Sequence, residues 1–302
     1  MENIVLRAFA LVLMIAAGIL MRAFGIADEG AAVFAKKLLM YVTLPAAIIT
    51  NFSGIGEMNG ETAVLIFMGI AANLIMIGAG ALLTKTRSRE EKAIYMNCLP
   101  AYNIGAFCLP FVQTFLPASG SIAACLFDVG NSLMCTGGTY AINMQYLSGG
   151  GFGLRMFAGR LLGSPPLLVY MVMIALSLLH IRLGDPILVL IAPAAAANTF
   201  VAMLVIGLLF RIKFEKAYLS PVLKMLFIRQ AFAVVMSLFC YFALPFPLEV
   251  RRALVLVSFG PMSVVSPVFT GLCGGDEGKA GAANSVTILV SIVEIMILLA
   301  VI

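Results

Sequence analysis

Residues 97–112 read NCLPAYNIGAFCLPFV, an apolar run that carries two prolines, a glycine and two asparagines. Proline removes a helical N–H and crowds the preceding turn, and glycine weakens a helix through backbone entropy. Inside lipid every backbone polar group must find a partner within the protein. Non-helical backbone at that depth is tolerated only where it is buried or lines a cavity. The run therefore predicts a membrane helix that is broken at mid-depth beside a cavity.

The composition around it agrees with a membrane setting. Of 302 residues, 62% are hydrophobic and 11% charged, with a mean hydropathy of +1.09. Soluble domains carry about 25% charged residues, and a soluble chain with so few could not cover its surface. The formal charge of +5 does not point to nucleic acid, because the basic residues sit in short gaps between apolar runs. Six cysteines, Cys98, Cys108, Cys125, Cys135, Cys240 and Cys273, lie within apolar runs without metal-ligand spacing, and His180 alone cannot complete a zinc set. They read as small apolar fillers. Residues 1–22 lack a basic segment followed by a small-residue cleavage site and read as a first span.

About 20 apolar residues cross a bilayer as a helix. On that ruler the chain is expected to be an all-α integral membrane protein with ten spans: 3–22, 34–53, 62–83, 93–115, 120–146, 157–179, 186–210, 222–243, 250–272 and 278–302. With the N-terminus outside, the inner gaps hold Arg22, Lys36, Lys37, Lys85, Arg87, Arg89, Lys92, Arg155, Arg160, Arg211, Lys213, Lys216 and Lys279. The outer side holds Arg7, Arg182, Arg251 and Arg252, while Lys224 and Arg229 fall near the inner end of span 8 and favour neither side. Thirteen against four predicts both termini outside a bacterial inner (plasma) membrane.

The chain also repeats itself. Span 4 holds Pro110, with Asp128 18 residues later; span 9 holds Pro267 in FGPMSVVSPVFT, with Asn284 17 residues later. TLPAAI at 43–48 matches IAPAAA at 191–196 in pattern. The halves would be 1–148 and 152–302, joined at the glycine-rich SGGGFG. Five spans per half is an odd number, so the second half would insert upside down. Inverted repeats with broken helices are a transporter architecture. On this reading NIGAFCLP and GPMSVVSP are the unwound centres of helices 4 and 9, crossing near the midplane. Free N–H groups at broken ends suit an anionic ligand group. A lone proline kink is ordinary in membrane helices; two proline pairs at matching places are not.

Several blocks resemble the auxin efflux carrier family: KKLLMYVTLPAAIITNFSG at 36–54, NIGAFCLP at 103–110, FDVGNSLMCTGG at 127–138, GSPPLLVY at 163–170, and PMSVVSPVFTGLCGGDEGKAGAANSVTILVS at 261–291. The resemblance covers almost the whole chain and is to the family's bacterial members. It implies ten spans in a five-plus-five inverted repeat, related in fold to bile acid:sodium symporters, with scaffold and transport bundles drawn from both halves. It also implies movement of small organic acid anions by alternating access: auxin in plant members, dicarboxylates such as malate or malonate in bacterial ones. The long hydrophilic central loop of plant members is absent. The family's Asn-Thr-Gly in the first crossing is here Asn103-Ile104-Gly105, which keeps the amide and loses a hydroxyl.

Candidate substrate contacts are Asn103, Ile104, Gly105, Pro110, Gly260, Pro261, Ser263, Ser266 and Pro267. Ser and Asn at such depth also link packed helices. For coupling or gating the candidates are Asp128, Asn131, Asn284 and Glu294. An ionisable group in a span costs at least about 2.5 kcal/mol on insertion scales, which makes Asp128 the clearest functional candidate. Asn131, three positions on, shares its helix face. No acid flanks the second crossing, which disfavours the sodium coupling of a bile-acid-type symporter. No Walker-type loop, metal set or catalytic motif is present, so no cofactor and no enzyme activity are expected. The expected partners are the bilayer and a small organic anion, with a homodimer allowed. A sodium-coupled bile-acid-type symporter, a channel and a non-transporting sensor are the alternative functions. A channel predicts a continuous polar lining, whereas spans 4 and 9 concentrate polarity at one depth.

Overall fold

The computed structural model describes residues 2–55, 60–148, 154–210 and 216–301. The glycine-rich joint at 149–153 and the inner cations Arg211 and Lys213 lie outside the described residues, as do the side chains of Arg155 and Lys216. The described chain is helical and contains no strand. In chain order the helices are α1 (Glu2–Ala23), α2 (Glu29–Leu38), α3 (Leu44–Ser53), α4 (Gly60–Leu83), α5 (Arg89–Cys98), α6 (Leu109–Phe115), α7 (Ala118–Leu133) and α8 (Thr139–Ser148). They continue with α9 (Leu154–Leu162), α10 (Pro165–Leu178), α11 (Asp185–Leu209), α12 (Lys216–Phe242), α13 (Leu248–Ser258), α14 (Ser266–Leu272) and α15 (Glu277–Val301).

Among the described residues, six helical stretches are long and apolar enough to cross a bilayer: Leu6–Ala23, Glu29–Ser53, Gly60–Leu83, Asp185–Leu209, Tyr218–Phe242 and Glu277–Val301. Their outward faces are greasy, with Phe67, Leu190, Phe227 and Phe242 among the exposed side chains. Such a surface would be a liability in water and is the expected one in lipid. The chain is a membrane protein. The other apolar stretches are interrupted: α5 stops at Cys98, α9 and α10 are separated at Gly163–Ser164, and α13 stops at Ser258.

Polar caps fix where several helices begin. The Asp28 carboxylate accepts from Ala31 N, Ser88 Oγ from Glu91 N, and the Asp276 carboxylate from Lys279 N. Lys279 Nζ also reaches Glu90 at 3.4 Å, which ties the start of α15 to the start of α5.

Three π-helical turns, Leu39–Thr43, Ile104–Cys108 and Met134–Gly138, join α2 to α3, lead into α6, and join α7 to α8. Two of them precede a proline, Pro45 and Pro110. A proline inside a helix clashes with the carbonyl four residues earlier, and a widened turn moves that carbonyl aside. The sequence reading expected NIGAFCLP, 103–110, to be unwound. Instead the chain is non-helical only between α5 and Ile104, and Pro110 is absorbed into a helix by the wide turn ahead of it.

Where the helices run closest, glycine permits it. A Cβ on Gly69 of α4 would fall on the Phe127 carbonyl of α7, and one on Gly130 of α7 would fall on the Ile66 carbonyl of α4. Gly18 of α1 and Gly207 of α11 form a second such pair. Small residues that let backbones approach are the usual device for helix association in lipid. The largest buried cluster gathers Leu44, Phe107, Phe111, Phe127, Tyr170, Val205 and Leu254, and so joins α3, α6, α7, α10, α11 and α13.

Candidate functional site

The two interruptions meet. After α5, residues 99–103 leave the helix; after α13, residues 259–265 do the same, and the two segments pair antiparallel at Tyr102 and Met262. Asn103 N donates to Pro261 O and Ser263 N donates to Ala101 O, each at 2.9 Å. Ala101 takes φ +67°, a conformation an L-residue adopts at a cost of about 1–2 kcal/mol, so the surroundings must hold it.

Side chains supply that hold. Asn73 Oδ1 of α4 accepts from Ala101 N at 2.6 Å. Asn131 of α7 pairs with Tyr102 as a strand would: its Oδ1 accepts from Tyr102 N at 3.0 Å and its Nδ2 donates to Tyr102 O at 2.8 Å. The two amides also touch, Asn73 Nδ2 donating to Asn131 Oδ1 at 3.2 Å. On the other strand, Thr287 Oγ1 of α15 accepts from Met262 N at 3.2 Å. Every backbone group so satisfied would otherwise be orphaned away from water, at a cost of about 1–3 kcal/mol each.

Asp128 sits one turn before Asn131 and is 4% exposed. Its Oδ1 accepts from Asn131 Nδ2 at 2.8 Å and its Oδ2 from the Tyr170 hydroxyl of α10 at 3.0 Å. Oδ2 also lies 3.1 Å from where a Cβ on Gly105 would be, so a larger residue at the start of the π turn would press the carboxylate back by a few tenths of an ångström.

A cavity of about 540 Å³ opens on one side of this crossing. All three π turns contribute to its wall, through Met40 and Tyr41, Ile104 to Ala106, and Cys135 and Thr136. Polar groups on the wall include Asn103, Asp128, Asn131, Ser132 and Ser263. Arg160 adds a positive charge, with its guanidinium 4.4 Å from the Tyr140 ring centre and 5.1 Å from that of Phe269. Among the described residues the Asn103 amide has no hydrogen-bond partner, which leaves its donors and acceptor for a bound molecule.

Of the residues singled out in the sequence, Asn103, Ile104, Gly105, Ser263, Asp128 and Asn131 line this cavity. The others stand off it. Gly260 and Pro261 belong to the crossing but not to the cavity wall; a Cβ on Gly260 would meet Cys108, and the Pro261 carbonyl accepts from Asn103 N. Pro110, Ser266 and Pro267 sit in the first turns of α6 and α14. Asn284 and Glu294 are on α15, Glu294 beside Gln230 and Arg229 of α12.

Asn73, Arg160, Tyr170, Arg229 and Thr287 were not singled out for the site. Asn73 left a signal, a lone polar residue within an apolar run, and Arg229 left another, a charge next to Gln230 inside such a run. Arg160, Tyr170 and Thr287 left none, since nothing in the sequence says which face of a helix meets the crossing. The six cysteines are free and buried. No three His, Cys, Asp or Glu side chains among the described residues come close enough to share a metal ion. Comparison with protein-family models returns no match to this chain, and comparison with curated proteins returns none either.

Proposed function

We propose that this protein is a secondary active transporter for small organic acid anions, a bacterial member of the auxin efflux carrier family that works by alternating access. The observation that carries the reading is the crossing of two interrupted helices beside a cavity of about 540 Å³ with polar groups on its wall, in a chain whose outside is apolar. Non-helical backbone at that depth is costly unless it is buried in protein or lines a cavity, and in transporters such breaks form the binding site.

The full reading has ten crossings. Besides the six long stretches they are α5 with Ile104–Phe115, α7 with α8, α9 with α10, and α13 with α14. An inverted repeat is supported by the antiparallel pairing at Tyr102 and Met262, because a two-fold axis in the membrane plane reverses the strand direction. It is also supported by Asn131 and Thr287, which bond the matching backbone N–H groups in the two halves.

The chemistry of the wall suits an anion linked to a proton. Arg160 attracts a carboxylate, and the free Asn103 amide can donate to it. A charged Asp128 repels an anion in the same cavity, whereas a protonated Asp128 does not. Anion and proton occupancy are thereby coupled by electrostatics alone. Tyr170 and Asn131 hold the carboxylate in place in the meantime.

The test is reconstitution in liposomes. Uptake of labelled organic acids should saturate and be stimulated by unlabelled substrate on the opposite side. Flux that rises linearly with concentration and ignores the opposite side indicates a channel. Ligand-dependent stabilisation without any flux indicates a sensor.

A further inference from the structure

The crossing brings together two helix C-terminal ends, those of α5 and α13. The last carbonyls of a helix have no intrahelical partner and carry the negative end of its dipole. Two such ends side by side repel each other unless a cation sits between them.

That cation is part of the chain. Arg229 of α12 is 6% exposed, and its guanidinium spans both ends. Its Nη1 donates to the carbonyls of Cys98 and Pro100, each at 3.2 Å, and to that of Leu99 between them. Its Nη2 donates to Gly260 O at 3.0 Å, and the guanidinium lies 4.9 Å from the centre of the Tyr102 ring. No carboxylate lies within 4 Å of it among the described residues; Glu294, one helix away, acts on it only at longer range. A buried charge normally needs an ionic partner. Here four backbone carbonyls take that place, the ligand set that otherwise holds a small hydrated cation.

We propose that the crossing is a monovalent-cation site that the chain fills with Arg229, so that removing the side chain uncovers a site for guanidinium-class cations from solution. The native crossing needs no dissociable ion, which makes it independent of sodium. The inference rests on the crossing described above, yet its readout is stability. A failure to transport therefore leaves it standing, and a failure of rescue overturns it alone.

The experiment is thermal unfolding of detergent-purified full-length protein. Arg229→Ala should lose about 5 °C or more of apparent Tm. It should regain at least half of that loss with about 20 mM guanidinium or methylguanidinium chloride, by ordinary binding linkage. Urea, the neutral molecule of the same shape, should restore nothing at that concentration, nor should tetramethylammonium at matched ionic strength. Arg229→Lys should fall between and gain nothing from guanidinium, since its tether still fills the space. Wild type should be insensitive to guanidinium at this level and to exchange of sodium for choline. If Arg229→Ala gives no folded protein, Arg229→Gln replaces it, with the same expectations. Equal rescue by urea, no rescue by any cation, or a saturable sodium-dependent rise in wild-type Tm would each overturn the proposal.

Discussion

At the scale of single residues, position in the hydrogen-bond network separates those that hold the site from those left over for a ligand. Asn131 uses both ends of its amide on the Tyr102 backbone and on Asp128, so its role is to shape the crossing. Asn103 lines the cavity with its amide unengaged. Asn103→Ala should therefore keep the fold and weaken organic-anion binding. The expected loss is about 1.5–3 kcal/mol for a hydrogen bond to a charged group, or roughly 10- to 150-fold in Kd, read by isothermal titration against wild type. Unchanged affinity in a folded mutant would make the amide a bystander. Asp128→Asn preserves shape and removes the titrating group. Gradient-driven net transport should fail, while exchange of labelled for unlabelled substrate continues, because exchange need not return an empty carrier. If Asp128 were only structural, the mutant would lose thermal stability and any surviving protein would still respond to the pH gradient. Both fluxes can be measured in the same vesicles.

At the scale of elements, the breaks and the close contacts obey different rules. The breaks come from local chemistry: Pro100 and a left-handed Ala101 turn the chain after α5, and Gly260 and Pro261 do so after α13. The close contacts come from the absence of side chains. Gly69 and Gly78 lie on the same helix, α4, but a Cβ on Gly69 would strike the Phe127 backbone, whereas one on Gly78 meets nothing within 4 Å. Gly69→Ala should cost about 1–3 kcal/mol through overpacking against backbone that cannot yield. Gly78→Ala should be neutral or stabilising by up to about 1 kcal/mol through helix propensity. Thermal unfolding of the two variants side by side checks this, and equal shifts would mean that the α4–α7 approach carries no weight.

At the scale of the whole molecule, the question is which way the bundle sits in the membrane. The contact between Lys279 and Glu90 places the start of α15 beside the start of α5, so the turns before them share a side. Both turns fall in gaps that the basic residues assign to the inside. A reporter fused after Ile302 should then be active outside the cytoplasm, and one placed in the turn at Thr84–Ser88 should be active inside it. A cytoplasmic C-terminus would remove both the orientation and the inverted repeat as drawn.

The sequence by itself determined that the protein is helical and belongs in a membrane, because those properties follow from composition and the length of apolar runs. It also marked where backbone would be exposed at depth, since proline and glycine act on their immediate neighbours. It could not separate an unwound segment from a π turn, because both start from the same residues and differ in whether the next proline finds room. Only the tertiary structure decided what completes the crossing. Asn73, Asn131, Thr287 and Arg229 come from four different helices, and nothing in any one stretch of sequence says that they meet. Their roles depend on which helix faces which. That is set by glycine contacts such as Gly69 with Phe127, a property of paired surfaces that no single stretch contains.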